Sequence, residues 1–293
     1  MRQTGRVTLT ATWLSLANPA QPRLWMASDS RISDGDGPLL DQGVKLFEVP
    51  VIVRGAGESG FFDRVLFFSS IGVLGSGHTL VFQNVIGTLT TMFANLATGG
   101  RRPPSLPDMA HAVADVTQLY VRQLGRRRAD AHRVGVIIGG VDLSELRPRA
   151  FRMAQVVDPA SGMYVFEPHE VDLTSGRAHF MGEGVAAAEE RELRLLEQAA
   201  PDAAAAVLRE RAPLTVLREF MADPEHPTVG GQVEVGYTTG HRFTRVASAE
   251  PIASGRPDFH LVLNGAPMVN NVGECFVNVP GLTTGGAQLP LDL

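Results

Sequence analysis

Apolar and polar residues alternate from Val7 to Leu16 (VTLTATWLSL), which predicts a strand with Thr8, Thr10 and Thr12 on one face. Turn formers fill Asn18 to Pro22 and Leu24 to Ser28 is apolar again, so the chain folds back as a hairpin that brings the threonine face beside Asp29. Lys45 to Arg54 and Phe61 to Val73 read as two further strands joined by Gly55-Ala-Gly-Glu-Ser-Gly60. Gly72-Val-Leu-Gly-Ser-Gly77 reads as a glycine-rich turn opening into a helix over His78 to Leu96, where backbone N–H groups could meet an oxyanion. A connector at Gly99 to Pro107 precedes a second helix, Pro107 to Leu124. Strands follow at Val134 to Ile138, Phe151 to Val157, Met163 to Pro168 and near His179 to Met181. Helices are predicted at Val185 to Gln198 and Pro213 to Met221, then strands at Gln232 to Thr238 and Arg242 to Ala247. Strands and pairs of helices thus alternate, an α+β pattern whose apolar faces are buried if two sheets stack between helix layers.

Composition narrows the function. A chain of 293 residues with 44% hydrophobic and 19% charged residues can bury a large core. A net charge of -5 and a pI near 5.9 leave no electrostatic footprint for nucleic acid, and the triplet Arg126 to Arg128 reads as a solvated helix end. The single cysteine, Cys275, provides neither an internal disulfide framework nor a cysteine-based metal cluster. The histidines at 78, 111, 132, 169, 179, 226, 241 and 260 show no ligand spacing. Asp34, Asp36 and Asp41 read as turn residues rather than a calcium loop, and Phe61, Phe62, Phe67 and Phe68 as sheet core or subunit contact. No metal or cofactor is expected. No apolar run spans a bilayer and Met1 to Val7 lacks a signal-peptide core, so a cytoplasmic chain without membrane contact is expected.

One residue stands apart. Lys45 is the only lysine among 26 basic residues, every other being arginine. Such a bias fits a GC-rich genome that converts lysine to arginine wherever chemistry permits. An ammonium is a compact donor of adjustable pKa, whereas a guanidinium is planar, bulky and always charged. The alternative is a chance survivor on a solvated face. Against it stand Asp29, Ser30 and Arg31, which follow an apolar run, and the polar loop that returns the chain to Lys45.

Ala27-Ser-Asp-Ser-Arg31, Val44-Lys-Leu-Phe47, Ile71-Gly-Val-Leu-Gly-Ser-Gly77, Ile137-Ile-Gly-Gly140 and Phe180-Met-Gly-Glu-Gly184 occur in an order that resembles the proteasome-type N-terminal nucleophile hydrolases. The resemblance covers roughly residues 8 to 240 and implies a four-layer αββα sandwich, the Ntn hydrolase fold. It also implies a threonine nucleophile whose free α-amine takes the proton while its hydroxyl attacks an amide. An amine of unperturbed pKa near 8 suits that task and a backbone amide cannot perform it, so the threonine must be N-terminal. By resemblance Lys45 lowers the hydroxyl's pKa, Asp29 holds Lys45, Arg31 braces the loop, and the backbone of Ser76 and Gly77 lines the oxyanion hole.

Thr8 lies 21 positions before Asp29 and Thr10 lies 19, both further than the family interval, with the long turn absorbing the difference. Thr8 is preferred because Thr-Leu followed by an alternating strand resembles relatives that begin Met-Thr-Leu. Thr10 is the alternative nucleophile. Residues 1–7 then read as an extension or propeptide, or Val7 as the true start, residues 8–248 as the hydrolase domain, and 249–293 as an extension packing on the domain or on a neighbour. Two departures bear on activity: Glu183 replaces a serine within Gly182-Glu183-Gly184, and His226 with Val229-Gly-Gly231 replaces the aspartate and serine that help position the amine. Either Glu183, with His226, forms a substitute cluster, or the site has decayed into a catalytically silent subunit with an assembly role. The resemblance further implies a peptide, protein or small-amide substrate, a homo-oligomer such as a ring, and a separate ATPase partner if unfolding is needed.

Overall fold

The structure is a computed structural model that describes residues 8–276 except 16–17, 19, 35–36, 59, 101, 126–132, 159–163, 199–202, 252–258, 264–265, 268–270 and 273–274; for 203–208 and from 248 onward only the backbone is described. The expectations for residues 1–7, Arg126 to Arg128, His132, Asp36 and the tail beyond 276 lie outside the described residues.

The chain runs β1 (Leu9–Ser15), β2 (Arg23–Asp29), β3 (Ile32–Asp34), β4 (Gly37–Leu40), β5 (Leu46–Gly55), β6 (Arg64–Gly77), α1 (Thr79–Phe93), β7 (Leu96–Ala97) and α2 (Leu106–Gly125). It continues through β8 (Val134–Asp142), β9 (Arg147–Val157), β10 (Tyr164–Glu170), β11 (His179–Gly182), α3 (Val185–Gln198), α4 (Ala203–Ala222), β12 (Val233–Thr239) and β13 (Arg242–Val246). Short strands β14 (Ser248–Pro251), β15 (Phe259–Leu263), β16 (Ala266–Pro267), β17 (Asn271–Val272) and β18 (Cys275–Phe276) follow. One sheet has the order β11-β1-β2-β12-β13 and a second the order β10-β9-β8-β6-β5-β7.

Alternation decides what each face meets. Leu9, Ala11 and Trp13 of β1 pack with Leu214, Leu217 and Phe220 of α4, so Thr8, Thr10 and Thr12 fall on the opposite face. That face looks toward the second sheet, where Met26, Leu46, Leu74, Ile137 and Phe243 form a core shared by strands of both sheets. The far face of the second sheet buries α1 and α2 through Val85, Leu89, Val113 and neighbours. The predicted hairpin is present, with β1 and β2 antiparallel and Thr10 opposite Ser28.

Several expectations are corrected. The four-layer αββα sandwich gives way to a mostly β molecule of sheets and a half-barrel, 43% strand against 30% helix. Strands form where the sequence pattern indicated loops: β3 and β4 make a hairpin between Asp29 and Lys45, and β14 and β16 flank β15, the strand expected near Phe259 to Leu263, in a further sheet. The glycine-rich run is no turn but the end of the 14-residue β6, paired with β8 from Gly72↔Gly139 to Gly77↔Val134. Glycines are required there by close approach, since a Cβ on Gly75 would meet the Phe82 ring at 2.3 Å. The fourth helix starts ten residues earlier than Pro213, which lies inside it.

Candidate functional site

The β1–β2 register and the return of β12 bring the singled-out residues together. Asp29 ends β2 and faces Val233 of β12; Lys45 immediately precedes β5. Lys45 Nζ donates to Oδ2 and Oδ1 of Asp29 at 3.0 and 3.1 Å, and both residues are buried. The backbone N–H groups of Leu9 and Gly230 donate to the same carboxylate at 3.0 and 3.1 Å, and that of Arg31 at 3.2 Å. Four donors converge on two oxygens with no acceptor among them, an environment made for the ionised carboxylate. Burial pushes Asp29 above the usual carboxylate range and pulls Lys45 below the usual lysine value, each opposed by the charge of the other.

Thr8, 2% exposed, lines a pocket of about 20 Å³ with Lys45, Ser76, Gly77, Thr79, Ile32, Val44 and Phe82. That volume holds about one water. Thr8 adopts a φ of 132°, rare for a β-branched residue, and its carbonyl accepts the N–H of Glu183 at 2.7 Å. Glycine is needed opposite: Gly182 has φ 119°, and a Cβ there would lie 1.9 Å from the Thr8 oxygen. Ser76 and Gly77 reach the pocket from the end of β6, and the N–H of Gly75 donates to the Lys45 carbonyl at 3.0 Å.

The other expected residues divide. Thr10 is fully buried and its hydroxyl donates to the Met181 carbonyl at 3.3 Å, outside the pocket lining. Arg31 spans the loop: Nη1 donates to the Pro227 carbonyl at 2.9 Å, Nε pairs with Asp41, and the guanidinium occupies the space that a Cβ on Gly230 would need. The hydrogen bond from Arg31 holds Asp41 below the usual carboxylate range. The Glu183 carboxylate accepts from the Thr228 hydroxyl and lies 3.8 Å from His226 Nδ1, with His226 stacked on Phe220 at 4.5 Å. Glu183, Thr228 and His226 thus lie side by side, with the Glu183 N–H bonded to the Thr8 carbonyl, while Val229 is buried in the core beneath α4.

Sequence reasoning missed Thr228 and Glu234. Glu234 of β12 is 5% exposed; its Oε2 accepts the backbone N–H groups of Lys45 and Leu46 at 2.7 and 3.0 Å, and its Oε1 accepts Arg245 Nη2 at 2.8 Å. Burial raises Glu234 and lowers Arg245, against the attraction between them. A lone glutamate within the apolar run Val233-Glu-Val235 was the available signal. Among the described residues no group of three His, Cys, Asp or Glu side chains is placed to hold a metal ion, and no helix is long and apolar enough to cross a membrane.

No protein-family model matches the chain, and no curated protein matches it. Among solved structures, similar chains include the Anbu (Gly-1) mutant from Hyphomicrobium sp. strain MC1, at 16% identity and a TM-score of 0.48 over 82% of this chain and 87% of that one. Another is the helical assembly of the Anbu complex from Pseudomonas aeruginosa, at 17% identity and 0.49 over 82% and 86%. Likeness at this level assigns neither family nor activity, so the expected membership of the proteasome-type N-terminal nucleophile hydrolases is corrected to a resemblance in short motifs.

Proposed function

We propose that the chain hydrolyses an amide bond with Thr8 as nucleophile, once the residues before it are removed. The observation that carries the reading is the convergence of Thr8, the buried ammonium of Lys45 and the strand end Ser76–Gly77 on one pocket. The Thr8 hydroxyl attacks the amide carbonyl carbon and its proton passes to the freed α-amine of the same residue. The tetrahedral oxyanion is met by backbone donors at Ser76 and Gly77, and Lys45 stabilises the alkoxide as it forms. Collapse expels the amine product carrying the proton, and water then cleaves the threonyl ester by the same route. Asp29 keeps Lys45 in place, Arg31 fixes the loop that carries Asp29, and the Glu183 cluster lies on the side of the residue from which its carbonyl is held. Thr10 is poorly suited, since its hydroxyl is already engaged and lies away from the pocket.

The test is the intact mass and N-terminal sequence of the protein made from its native gene, followed by treatment with a threonine-directed electrophile. A chain beginning at Thr8 that takes one adduct on that residue, with none in Thr8→Ala, is the expected result. A chain that retains residues before Thr8 and takes no adduct refutes hydrolysis and leaves the assembly role.

A further inference from the structure

The threonine site has a second carboxylate that the proposed chemistry does not use. Glu234 sits one residue along β12 from Val233, the register partner of Asp29, so neighbouring positions on two paired strands present two carboxylates to one lysine. Asp29 takes the side-chain end and Glu234 the backbone end: Nζ is held at 3.0 Å and the backbone N–H at 2.7 Å. By also accepting the Leu46 N–H, Glu234 fixes the start of β5 in the direction that projects Lys45 into the pocket. Two backbone N–H groups and one guanidinium are all donors, so the glutamate is held as a carboxylate although it is buried.

We propose that Glu234, anchored by Arg245, is the positioning residue for Lys45, clamping its backbone so that the ammonium is presented to Thr8. The proposal rests on the hydrolase reading for its purpose but not for its geometry. The charged groups around Lys45 are Asp29 from β2, Arg31 from the segment after it, Glu234 from β12 and, behind Glu234, Arg245 from β13. Glu234 supports the charged form of the lysine and Arg31 opposes it.

Because Lys45 is the sole lysine, lysine-selective ¹³C/¹⁵N labelling gives one side-chain signal whose pH titration is read without any substrate. Glu234→Gln retains the shape and an acceptor oxygen but removes the charge, so the Lys45 midpoint moves to lower pH. Arg245→Met leaves the carboxylate uncompensated and moves it to higher pH. Opposite shifts cannot arise from general loosening, and either variant decides the matter if the other fails to fold. In the hydrolysis assay the alkaline limb of Glu234→Gln follows the same shift, with kcat falling and KM retained. Lys45 midpoints that coincide with the parent protein in both variants overturn the proposal. If the midpoints split as stated while Thr8 takes no electrophile, the hydrolase reading fails and the positioning of Lys45 by Glu234 stands.

Discussion

Replacing Lys45 by Met tests the electrostatics of the site without changing its shape much. In the parent protein the ammonium lies 3.0 Å from Asp29, both side chains buried, 8% and 0% exposed. At an effective dielectric near 20 such a pair attracts by roughly 5 kcal/mol, while burying two ions costs several kcal/mol each, so the intact pair contributes little net stability. Removing only the cation is different. It leaves Asp29 with its desolvation cost and three backbone N–H groups, those of Leu9, Arg31 and Gly230. Breaking a buried pair costs about 3–5 kcal/mol, and the three retained hydrogen bonds place the expected loss near 3 kcal/mol at pH 7.5.

The sign of the pH dependence follows. Without the lysine, Asp29 rises further above its ordinary value of 3.8. A carboxyl whose folded pKa is raised contributes fully below its unfolded pKa, and that contribution is lost as pH rises through the folded value. The destabilisation of Lys45→Met is therefore largest at neutral pH and shrinks toward pH 4. Urea unfolding followed by the fluorescence of Trp13 and Trp25, stacked at 5.9 Å in the core, measures it at both ends. A loss that is the same at pH 4.5 and 7.5, or under about 1 kcal/mol at both, refutes the account of a buried, carboxylate-held lysine.

Two further outcomes follow from the same geometry. Gly182→Ala forces a Cβ to 1.9 Å from the Thr8 carbonyl at a φ of 119°, so it should cost at least about 2 kcal/mol in urea unfolding and abolish adduct formation at Thr8; unchanged stability contradicts the register of β1 with β11. Burial lowers Lys45, so amide hydrolysis should decline with rising pH before the ordinary lysine value of 10.5 is reached; a rate that holds level up to that pH contradicts a role for the ammonium.

The helices and most strands were legible because their period was strong: α3 spans Val185–Gln198 as the sequence predicts, and β1 and β2 form the expected hairpin. The glycine run at 72–77 misled because glycine usually signals a turn, whereas here it admits Phe82 and Phe243 against the strand. β3 and β4 were hidden in a polar segment whose pairing depends on where Asp29 and Lys45 are held. Within the site, Lys45, Asp29 and Thr8 could be found from residue type and order. Glu234 showed only as a lone glutamate between two valines, and Thr228 not at all, because each acts through a partner 45 or more positions away, at Lys45 and Glu183. Spacing along a strand carries no record of such a contact.

Those distant contacts also explain why the site cannot be assembled piecemeal. Asp29 accepts from the residue after Thr8, from Arg31 and from Gly230, so one carboxylate reads out the position of β1, of its own loop and of the approach to β12. Gly230 returns two bonds, its carbonyl accepting the N–H groups of Ser30 and Arg31. Glu234 then ties that strand to the opposite sheet through the backbone of Lys45 and Leu46. Apolar residues would hold two sheets together at lower electrostatic cost. What apolar residues cannot do is hold a compact cation against Asp29 in the wall of the pocket that Thr8 also lines. The survival of one lysine in a chain otherwise rich in arginine has its physical counterpart there: a guanidinium adds two heavy atoms at a pocket of about 20 Å³.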